Sequence, residues 1–565
     1  MKPIDQIRGI RTSLRGGQFG LTGRIGVTTF LTITVLISSV APAFGVTADA
    51  VAESANVAED DLFTFPEMND GVWQELERKV QEQGSVAVIV GLNVPAKRPD
   101  RLTAGQLRQQ NAAIAETQAS LVREFGERGL RNLRNLAELP LVVFDADLND
   151  LITLRDSRLV RSVSEDRLIE ADLGRGGEND EGVVDNALER DQVIGPVPPS
   201  GPNEALEPLD RDAAGAPSAT SPNGTSNQLP AWWDYYQIGV DKSVGAGYTG
   251  AGQHVAIIDT GVDRSHPWLT SKVVNEACFT SGNQCPNGGT SQYGYGAAAP
   301  CWFNAECAHG THVAHTAAGT YGVAPSAKIV AVQVFQAGPT GRPAYWESSL
   351  VLALHHVYSI RASYKIAAVN LSVGNGSIPW TGTCDGWTID GLGTYLTGWV
   401  QALKAVGIAT VISSGNSNWS NAVSHPGCIS SAVTVGNTTH YDSGGFRYDA
   451  VYGGVVGGSN SSGVLDLLAP GTDICSAVPI WLEQNRFRGT SVWDGVADGQ
   501  NCRFIGTSMA APHVAGAFAV LKAKRPTYSV DQILYRLQTT GTAVLDSRNN
   551  ISRTRIQVYN AAFGF

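Results

Sequence analysis

The stretch Gly506–Gly516 constrains the fold of this chain more than any other, because it joins a nucleophilic side chain to the start of a buried helix. It reads Gly-Thr-Ser-Met-Ala-Ala-Pro-His-Val-Ala-Gly, and small or apolar residues dominate after Ser508. This pattern predicts a helix that begins at Ser508, where the positive end of the helix dipole would favour developing negative charge. We expect Pro512 to lie in the first turn, where its missing N–H has no intrahelical partner. Taken alone, the pattern also fits an ordinary helix with a serine cap.

Two upstream segments carry groups that could activate Ser508. The run His254–Asp263 has the length of a strand and then places Asp259 before a glycine turn. Open α/β sheets hold their sites at the carboxyl ends of the strands, so Asp259 is well placed for chemistry. His309 follows in the motif His-Gly-Thr-His-Val-Ala. The chain order acid, histidine, serine is the subtilisin order of the catalytic triad.

On these residues the chain resembles the subtilases, a family of secreted subtilisin-like serine proteases. The resemblance rests on Asp-Thr-Gly at Asp259, His-Gly-Thr-His at His309 and Gly-Thr-Ser-Met-Ala-Ala-Pro at Ser508. Further matching segments lie at 322–327, 369–374, 412–416 and 468–471. Because several motifs occur in the family's order between about residues 230 and 530, chance is a poor explanation of the similarity.

The resemblance implies endopeptide hydrolysis through an acyl-enzyme. Ser508 would attack the scissile carbonyl, His309 would carry its proton, and Asp259 would orient the imidazole. Asn416 would donate its side-chain amide to the oxyanion, together with the backbone N–H of Ser508. The residues expected to line the specificity pocket and to pair with substrate backbone are Ser372, Val373, Gly374, Ser413, Ser414 and Gly415.

Two alternatives to a secreted endopeptidase stay open. A protein of the same fold could bind peptides without cleaving them, although all four chemical positions are intact. An exopeptidase could use the same triad. The partners expected in any of these cases are proteins or peptides. The formal charge of −11 argues against a nucleic-acid partner.

The chemistry requires no cofactor, and we predict no metal site. His309 and His312 have the spacing of two ligands on one helical face, but no further Glu or His nearby completes a zinc site. We therefore interpret His312 as structural. Where the family often has a calcium-binding Asp after His266 and Pro267, this chain has Trp268. A structural calcium is left open, and no residues are identified for it, since an Asp-x-Asp-x-Asp-Gly loop is not visible.

All eight cysteines fall in the protease-like region: Cys278, Cys285, Cys301, Cys307, Cys384, Cys428, Cys475 and Cys502. An even number of cysteines in one domain that follows a predicted signal peptide indicates up to four disulfides formed in an oxidising compartment. A zinc ribbon fits the first four poorly, because the Cys-x-x-Cys pairs are missing. The sequence does not settle the pairing. We favour Cys384 with Cys428 and Cys475 with Cys502, and we expect the first four to pin the insertion before His309.

The amino terminus is typical of a targeting segment. Arginines precede the apolar run 25–40, and Ala41-Pro42-Ala43 offers a cleavage site between small residues. We therefore predict a signal peptide at 1–43 and a secreted, extracellular or periplasmic, protein without a stable membrane span. An uncleaved anchor is the alternative, although the run is shorter than the ~20 residues that a spanning helix needs.

The segment 72–173 is predicted to be a small α+β sandwich. Strand and helix patterns alternate at 85–92, 104–125, 141–144, 148–154 and 159–163, with two helices expected within 104–125. It resembles the subtilase propeptide, which implies a folding assistant and an intramolecular inhibitor. The acidic, Pro- and Gly-rich segment 174–229 is predicted to be a linker that cannot bury enough surface to fold. We expect the mature chain to begin between Gly174 and Trp232.

The segment 230–565 is predicted to be the catalytic domain, with a three-layer α/β/α fold and a mostly parallel sheet. Strand patterns at 254–259, 328–335, 366–373, 407–414 and 432–436 alternate with helix patterns at 347–364, 390–406 and 509–524. Such alternation is typical of parallel crossovers. The subtilase resemblance implies the same architecture.

Overall fold

The computed structural model describes residues 70–126, 129–136, 138–171, 173, 175–176, 233–385, 393–443, 446–454, 457–479 and 503–563. The predicted signal peptide at 1–43 lies outside these residues, as does nearly all of the predicted linker at 174–229.

The first described part of the chain is a small α+β domain. Its elements are α1 (Asp70–Gln83), β1 (Val86–Leu92), α2 (Ala104–Glu124), β2 (Arg131–Asn135), β3 (Leu141–Ala146), α3 (Leu148–Asp156) and β4 (Val160–Glu165). The strands form one antiparallel sheet in the order β2-β3-β1-β4. The predicted strands and α3 are confirmed, whereas α1 and β2 were not predicted.

The prediction of two helices within 104–125 is wrong, because α2 is continuous. A reciprocal capping box between Thr103 and Gln106 starts the helix. No glycine or proline interrupts the residues that follow Gln106 up to Glu124, so the backbone has no reason to break. The strand β2 escaped prediction because its sequence Arg-Asn-Leu-Arg-Asn carries no alternation of apolar and polar residues.

A larger domain follows. Between the two domains the chain forms β5 (Leu168–Glu170) and β6 (Arg175–Gly176). The helices of the larger domain are α4 (Trp233–Gln237), α5 (Val240–Gly245), α6 (His309–Ala318), α7 (Glu347–Ile360), α8 (Gly393–Ala405), α9 (Thr507–Lys524), α10 (Val530–Thr540) and α11 (Val558–Phe563). Its strands are β7 (His254–Asp259), β8 (Val273–Phe279), β9 (Ser291–Tyr293), β10 (Lys328–Gln333), β11 (Phe335–Ala337), β12 (Pro343–Trp346), β13 (Ile366–Leu371), β14 (Asn375–Trp380), β15 (Ala409–Ser413), β16 (Val423–His425), β17 (Val433–Ser443), β18 (Phe446–Val451), β19 (Leu467–Pro470), β20 (Ile474–Cys475), β21 (Arg503–Ile505), β22 (Thr542–Asp546) and β23 (Ile551–Arg555).

The main sheet is mostly parallel, as predicted. Among the described residues its order is β22-β23-β19-β17-β15-β13-β7-β10-β8-β9, with β18 beside β17. Neighbours from β23 to β8 run parallel, whereas β9, β18 and β22 pair antiparallel. The five predicted strands are confirmed as β7, β10, β13, β15 and β17, and the three predicted helices as α7, α8 and α9.

The three layers arise because successive side chains of a strand face opposite sides of the main sheet. In β7, Val255 and Ile257 belong to the apolar cluster that contains α6 and α9. Ala256 and Ile258 belong to a second cluster that contains α7 and α8. Since successive side chains of a strand point to opposite faces, one apolar run supplies both layers.

The small domain packs one face of its sheet against the second cluster. Val88, Val90 and Phe144 lie in the small domain's own core with α2 and α3. Ile89 and Val143, on the opposite face, are buried in the cluster that contains α7 and α8. The small sheet is therefore covered on both faces, once by its own helices and once by the larger domain.

The described disulfides are Cys278–Cys285, Cys301–Cys307 and Cys384–Cys428. The third confirms the pairing favoured from the sequence, and the first two close short loops in the insertion ahead of His309, as expected. Cys502 lies outside the described residues, so its pairing with Cys475 stays a prediction.

No helix in the described part of the chain combines the length and the apolarity that crossing a bilayer requires.

The close approach of α6 and α9 yields a stability prediction. A Cβ on Gly516 would lie 2.6 Å from the Ala317 carbonyl oxygen and 2.7 Å from the Val323 Cβ. In a chain that also carries Ser508→Ala, so that it cannot digest itself, we expect Gly516→Ala to lower the free energy of unfolding by about 1–3 kcal/mol. Urea titration followed by circular dichroism measures it.

The matched control is Gly245→Ala, because a Cβ at this helical glycine would meet nothing within 4 Å. This variant should be neutral or slightly more stable, since alanine restricts the unfolded chain. Equal stability of the two variants would contradict the tight helix contact.

Candidate active site

Asp259 and His309 form a buried pair at the carboxyl edge of the sheet. Asp259 ends β7 and His309 begins α6, and His309 Nδ1 lies 2.8 Å from Asp259 Oδ1. The backbone N–H of Thr260 donates to the same oxygen at 2.7 Å. A carboxylate only accepts hydrogen bonds, so we assign the proton to Nδ1. Nε2 is then left as the basic nitrogen of the imidazole.

Glycine allows the histidine to come this close to the aspartate. A Cβ on Gly310 would lie 2.2 Å from the Gly261 carbonyl oxygen and 3.1 Å from the Asp259 Cβ. The N–H of Gly310 donates to the Thr260 hydroxyl at 2.8 Å. The Asp-Thr-Gly and His-Gly-Thr motifs therefore fit against each other through two glycines and one hydroxyl.

Ser508 is the second residue of α9 and is bound to Ser372 in both directions. The Ser372 hydroxyl donates to the Ser508 carbonyl oxygen at 2.8 Å, and the Ser508 hydroxyl donates to the Ser372 carbonyl oxygen at 3.3 Å. Ser372 follows the end of β13, next to β7 in the sheet. Ser508 is thus held at the same sheet edge as Asp259.

The expectation that Pro512 lies in the first turn of the helix is wrong. Because α9 begins at Thr507, Pro512 lies in the second turn, where an N–H would ordinarily donate to the carbonyl of Ser508. The hydroxyl of Ser372 donates to that carbonyl instead. A side chain from a neighbouring strand therefore compensates for the proline.

His309 Nε2 has no hydrogen-bond partner among the described residues, and the hydroxyl of Ser508 is bonded to Ser372. The serine-histidine hydrogen bond of a triad is thus not formed in this structure. Such bonds are often long or misaligned without substrate and tighten in the reacting complex. All three side chains are buried, with exposed fractions of 0% for Asp259 and Ser508 and 1% for His309.

Asn416 is held by Thr507, the residue that precedes Ser508. Its Oδ1 accepts hydrogen bonds from the backbone N–H of Thr507 at 2.8 Å and from the Thr507 hydroxyl at 3.0 Å. Since both donors bind the oxygen, the amide is oriented with its NH₂ group directed away from Thr507. The structure brings this amide donor to the start of α9, where the sequence placed the oxyanion site.

The other predicted pocket residues lie at the ends of β13 and β15, at the same edge of the sheet. Val373 is buried in the apolar cluster of α7 and α8, and Gly374 lies against Ser424. The N–H of Ser414 donates to Val435. The N–H of Gly415 donates to the Thr507 hydroxyl. Both N–H groups are therefore bonded within the protein, and the pairing of Ser413, Ser414 and Gly415 with substrate backbone stays a prediction.

The structure shows a strand pairing between the two domains that the sequence did not predict. The strand β5 pairs antiparallel with β12 in the register Glu170–Ala344, and the N–H of Ala171 donates to Pro343 at 3.1 Å. The signal that could have found β12 is the hairpin pattern Gly-Pro-Thr-Gly just before it.

A few residues later the same segment pairs with the strand that leads into α9. Arg175 lies opposite Ile505 and Gly176 opposite Phe504 in the pairing of β6 with β21. Ile505 precedes Ser508 by three residues. The segment that follows the small domain therefore pairs with β12 before Asp172 and with β21 after Gly174. These two residues lie outside the described ones.

An acidic residue of the small domain caps a helix of the larger one. Asp166 accepts hydrogen bonds from the Ser348 N–H at 3.1 Å and from the Ser348 hydroxyl at 2.6 Å, at the start of α7. The N-cap of this helix, Trp346, makes no side-chain capping bond of its own. Arg134 also binds Asp166 at 2.8 Å. Burial raises the pKa of Asp166, and the nearby Arg134 opposes that effect.

Comparisons with known proteins agree with the geometry. The family profile "Peptidase S8: Subtilase family" matches residues 250–564. Subtilisin DY of Bacillus licheniformis is 30% identical over 319 residues, which cover 55% of this chain and 91% of that protein. The extracellular serine proteinase of Thermus sp. strain Rt41A is 30% identical over 313 residues, 54% of this chain and 60% of that one.

Among solved structures, fervidolysin from Fervidobacterium pennivorans, described as a keratinolytic enzyme related to subtilisin, has a similar fold. The TM-score is 0.53 at 20% sequence identity, and the match covers 90% of this chain and 63% of fervidolysin. At this identity the similarity bears on the fold alone.

The bond from Ser372 to Ser508 yields a double-mutant prediction. Ser372→Ala leaves the buried carbonyl of Ser508 without a donor, so the free energy of unfolding should fall by about 1–3 kcal/mol. Pro512→Ala restores an N–H at the position that faces this carbonyl. In chains that carry Ser508→Ala to prevent self-digestion, we expect the loss caused by Ser372→Ala to shrink when Pro512→Ala is present. Additive losses in urea titrations would contradict the compensation.

Proposed function

The chain belongs to the subtilase family of subtilisin-like serine proteases, and on that premise we propose that it is a secreted serine endopeptidase made as a self-inhibited precursor. One observation carries the proposal: the buried Asp259–His309 pair, with its 2.8 Å contact, lies at the sheet edge to which Ser372 binds Ser508. Asp259, His309 and Ser508 have the side chains of an acid, a base and a nucleophile, and they come from distant parts of the chain to one sheet edge.

The proposed mechanism is acyl transfer. The hydroxyl of Ser508 attacks the scissile carbonyl carbon while His309 Nε2 takes its proton. Asp259, bonded to Nδ1, keeps the imidazole in the required tautomer and stabilises the imidazolium. The imidazolium then protonates the leaving amine, and the acyl-enzyme remains on Ser508. Water, deprotonated by the same nitrogen, releases the acid and restores the hydroxyl. No cofactor takes part in these steps.

Asn416 is the proposed oxyanion donor. Its oxygen is held by Thr507, so its NH₂ group is positioned before substrate arrives. A donor that is oriented in advance stabilises the tetrahedral oxyanion without reorganisation, which is why such groups contribute strongly to turnover. The backbone N–H of Ser508, at the start of α9, is the second proposed donor.

The pairing of β5 and β6 supports self-inhibition. A chain that pairs with β12 before the site and with β21 after it occupies the path that a substrate would take. The small domain is anchored beside this path by the Asp166 cap on α7 and by its buried sheet face. We infer that segment 72–173 acts as an inhibitory propeptide, and that cleavage in or near the linker at 174–229 precedes activity.

Binding on both sides of the site favours an endopeptidase over an exopeptidase. An exopeptidase needs a free chain end at the site, whereas β12 and β21 hold an internal segment of this chain.

Secretion is supported by the amino-terminal targeting pattern and by three disulfides in the described residues, which persist in oxidising compartments. The similarity to an extracellular serine proteinase points in the same direction. Proteins and peptides are the proposed substrates.

The first test compares secreted wild type with Ser508→Ala by intact mass and amino-terminal sequencing. We expect only the wild type to lose its amino-terminal part and to begin between Gly174 and Trp232, because removal requires the chain's own nucleophile. Ser430→Ala, which changes an exposed serine in the same domain, serves as the control and should mature like the wild type.

An internally quenched peptide blocked at both ends tests the reaction class. Cleavage of this peptide by wild type supports the endopeptidase, and cleavage of free-ended peptides alone would support the exopeptidase. If wild type stays untrimmed and cleaves neither kind of peptide, the peptide-binding alternative replaces the proposal.

Removal of the oxyanion donor should affect turnover more than binding. We expect Asn416→Ala to lower kcat by about 10²–10³-fold with little change in KM, because the lost hydrogen bond forms in the transition state. Steady-state kinetics on the blocked peptide measure both constants. Asn287→Ala, in an exposed loop, is the control. A rise in KM at unchanged kcat would contradict the role of Asn416.

A further inference from the structure

The pairing of β5 with β12 shows how β12 binds an extended chain. Side chains along the bound segment alternate: Ile169 and Ala171 are buried with exposed fractions of 7% and 1%, whereas Glu170 lies on the other face and is partly exposed. Glu170 stands opposite Ala344 in the register. The two buried positions can accommodate only small or apolar side chains. The position of Glu170 is therefore the one at which the larger domain can bind a charged side chain.

The carboxylate of Glu170 binds a single residue of the larger domain. Its Oε1 accepts a hydrogen bond from the backbone N–H of Thr340 at 2.9 Å and another from the Thr340 hydroxyl at 2.8 Å. Both donors come from one residue and converge on one oxygen. Hydrogen bonds to an ionised acceptor are roughly twice as strong as neutral ones, so this pair of donors favours a carboxylate over an amide.

The turn between β11 and β12 is built to leave these donors available. The N–H of Gly341 donates to Gly338 at 3.0 Å, and the N–H of Gly338 donates to Arg342 at 2.8 Å. The turn thus closes on itself without using the N–H of Thr340. Gly341 has a φ of +80°, which a side chain would strain.

Gly338 leaves the space that the carboxylate fills. A Cβ at this position would lie 2.6 Å from Glu170 Oε1 and 3.0 Å from the Ala344 Cβ. The neighbouring cation, Arg342, is bound to Glu306 at 3.1 Å. The Arg342 charge is therefore already paired with an acid of its own domain, and the contact with Glu170 depends on the Thr340 donors.

We propose that the turn Gly338–Gly341 is a specificity subsite that favours substrates with an acidic side chain at the residue that pairs with Ala344. In the chain's own segment this residue precedes Arg175, the first residue paired with β21, by five positions. The proposal rests on the proposed function, since it takes the mature enzyme to be a peptidase that binds substrate along β12. It adds a carboxylate preference at a position remote from the scissile bond.

The test uses quenched peptides that copy residues 168–177, Leu-Ile-Glu-Ala-Asp-Leu-Gly-Arg-Gly-Gly. The glutamate peptide is compared with one that has glutamine in its place, and a third peptide has asparagine in place of the aspartate. For mature wild type we expect kcat/KM to be about fivefold higher for the glutamate peptide than for the glutamine peptide, the size of a well-formed exposed charge contact. The asparagine peptide separates a site-specific preference from a general preference for negative charge.

Two variants locate the preference on the turn. Thr340→Ala removes the hydroxyl and keeps the N–H, so the glutamate-to-glutamine ratio should fall to about half of the wild-type ratio. Gly338→Ala places a Cβ in the space of the carboxylate, and the ratio should approach one. Because the readout is a ratio within each enzyme, a general loss of activity cancels. Ser291→Ala, an exposed position on β9, should keep the wild-type ratio.

The outcomes separate the two proposals. If wild type cleaves the glutamate and glutamine peptides equally well, or if Gly338→Ala keeps the wild-type ratio, the subsite is wrong and the peptidase stands. An equal loss with the asparagine peptide would also overturn the subsite, because the preference would then follow net charge. If wild type cleaves none of these peptides and no blocked peptide of other sequence, the proposed function itself fails.

Discussion

The burial of α9 is the constraint on which the rest of the site depends. Apart from His513 and the two lysines of its last turn, the helix consists of apolar or small residues, and its residues from Thr507 to Leu521 are buried. Such a helix is stable only between other layers, here α6 on one side and the parallel sheet on the other. This packing brings the first turn of α9 to the end of β13, where Ser372 binds Ser508 in both directions. Gly516 permits the contact with α6, whose first residue is His309.

The strands β12 and β21 each pair with the segment that leaves the small domain. Extended backbone is recognised by main-chain hydrogen bonds, which do not depend on sequence, while alternate side chains enter or avoid the surface. The same edges can therefore hold the chain's own segment before maturation and a substrate afterwards. Asp166 adds an independent anchor, because α7 has no side-chain cap of its own and receives one from the small domain. Under the proposed function, inhibition and substrate selection use one surface.

Patterns of local sequence predicted much of this fold, and their failures have physical causes. The apolar runs of β7 and β13 are long enough to identify buried parallel strands. The strand β8 was missed because Asn275 and Glu276 interrupt its apolar run, although Glu276 is buried. The continuity of α2 was missed because a helix with many polar residues shows no clear stripe. The position of Pro512 within α9 was predicted wrongly, because the sequence does not show that the hydroxyl of Ser372 bonds the Ser508 carbonyl in place of the missing N–H.

The sequence by itself determined the residue types, their order and the elements that carry them: an acid after a strand, and a histidine and a serine at two helix starts. Tertiary structure alone decided which groups meet. It bonded Asp259 to His309, oriented the Asn416 amide through Thr507, and placed the N–H groups of Ser414 and Gly415 in hydrogen bonds within the protein. The reason is that these bonds join residues far apart in the chain. Their geometry follows from sheet order and from close helix contacts, which no local pattern encodes.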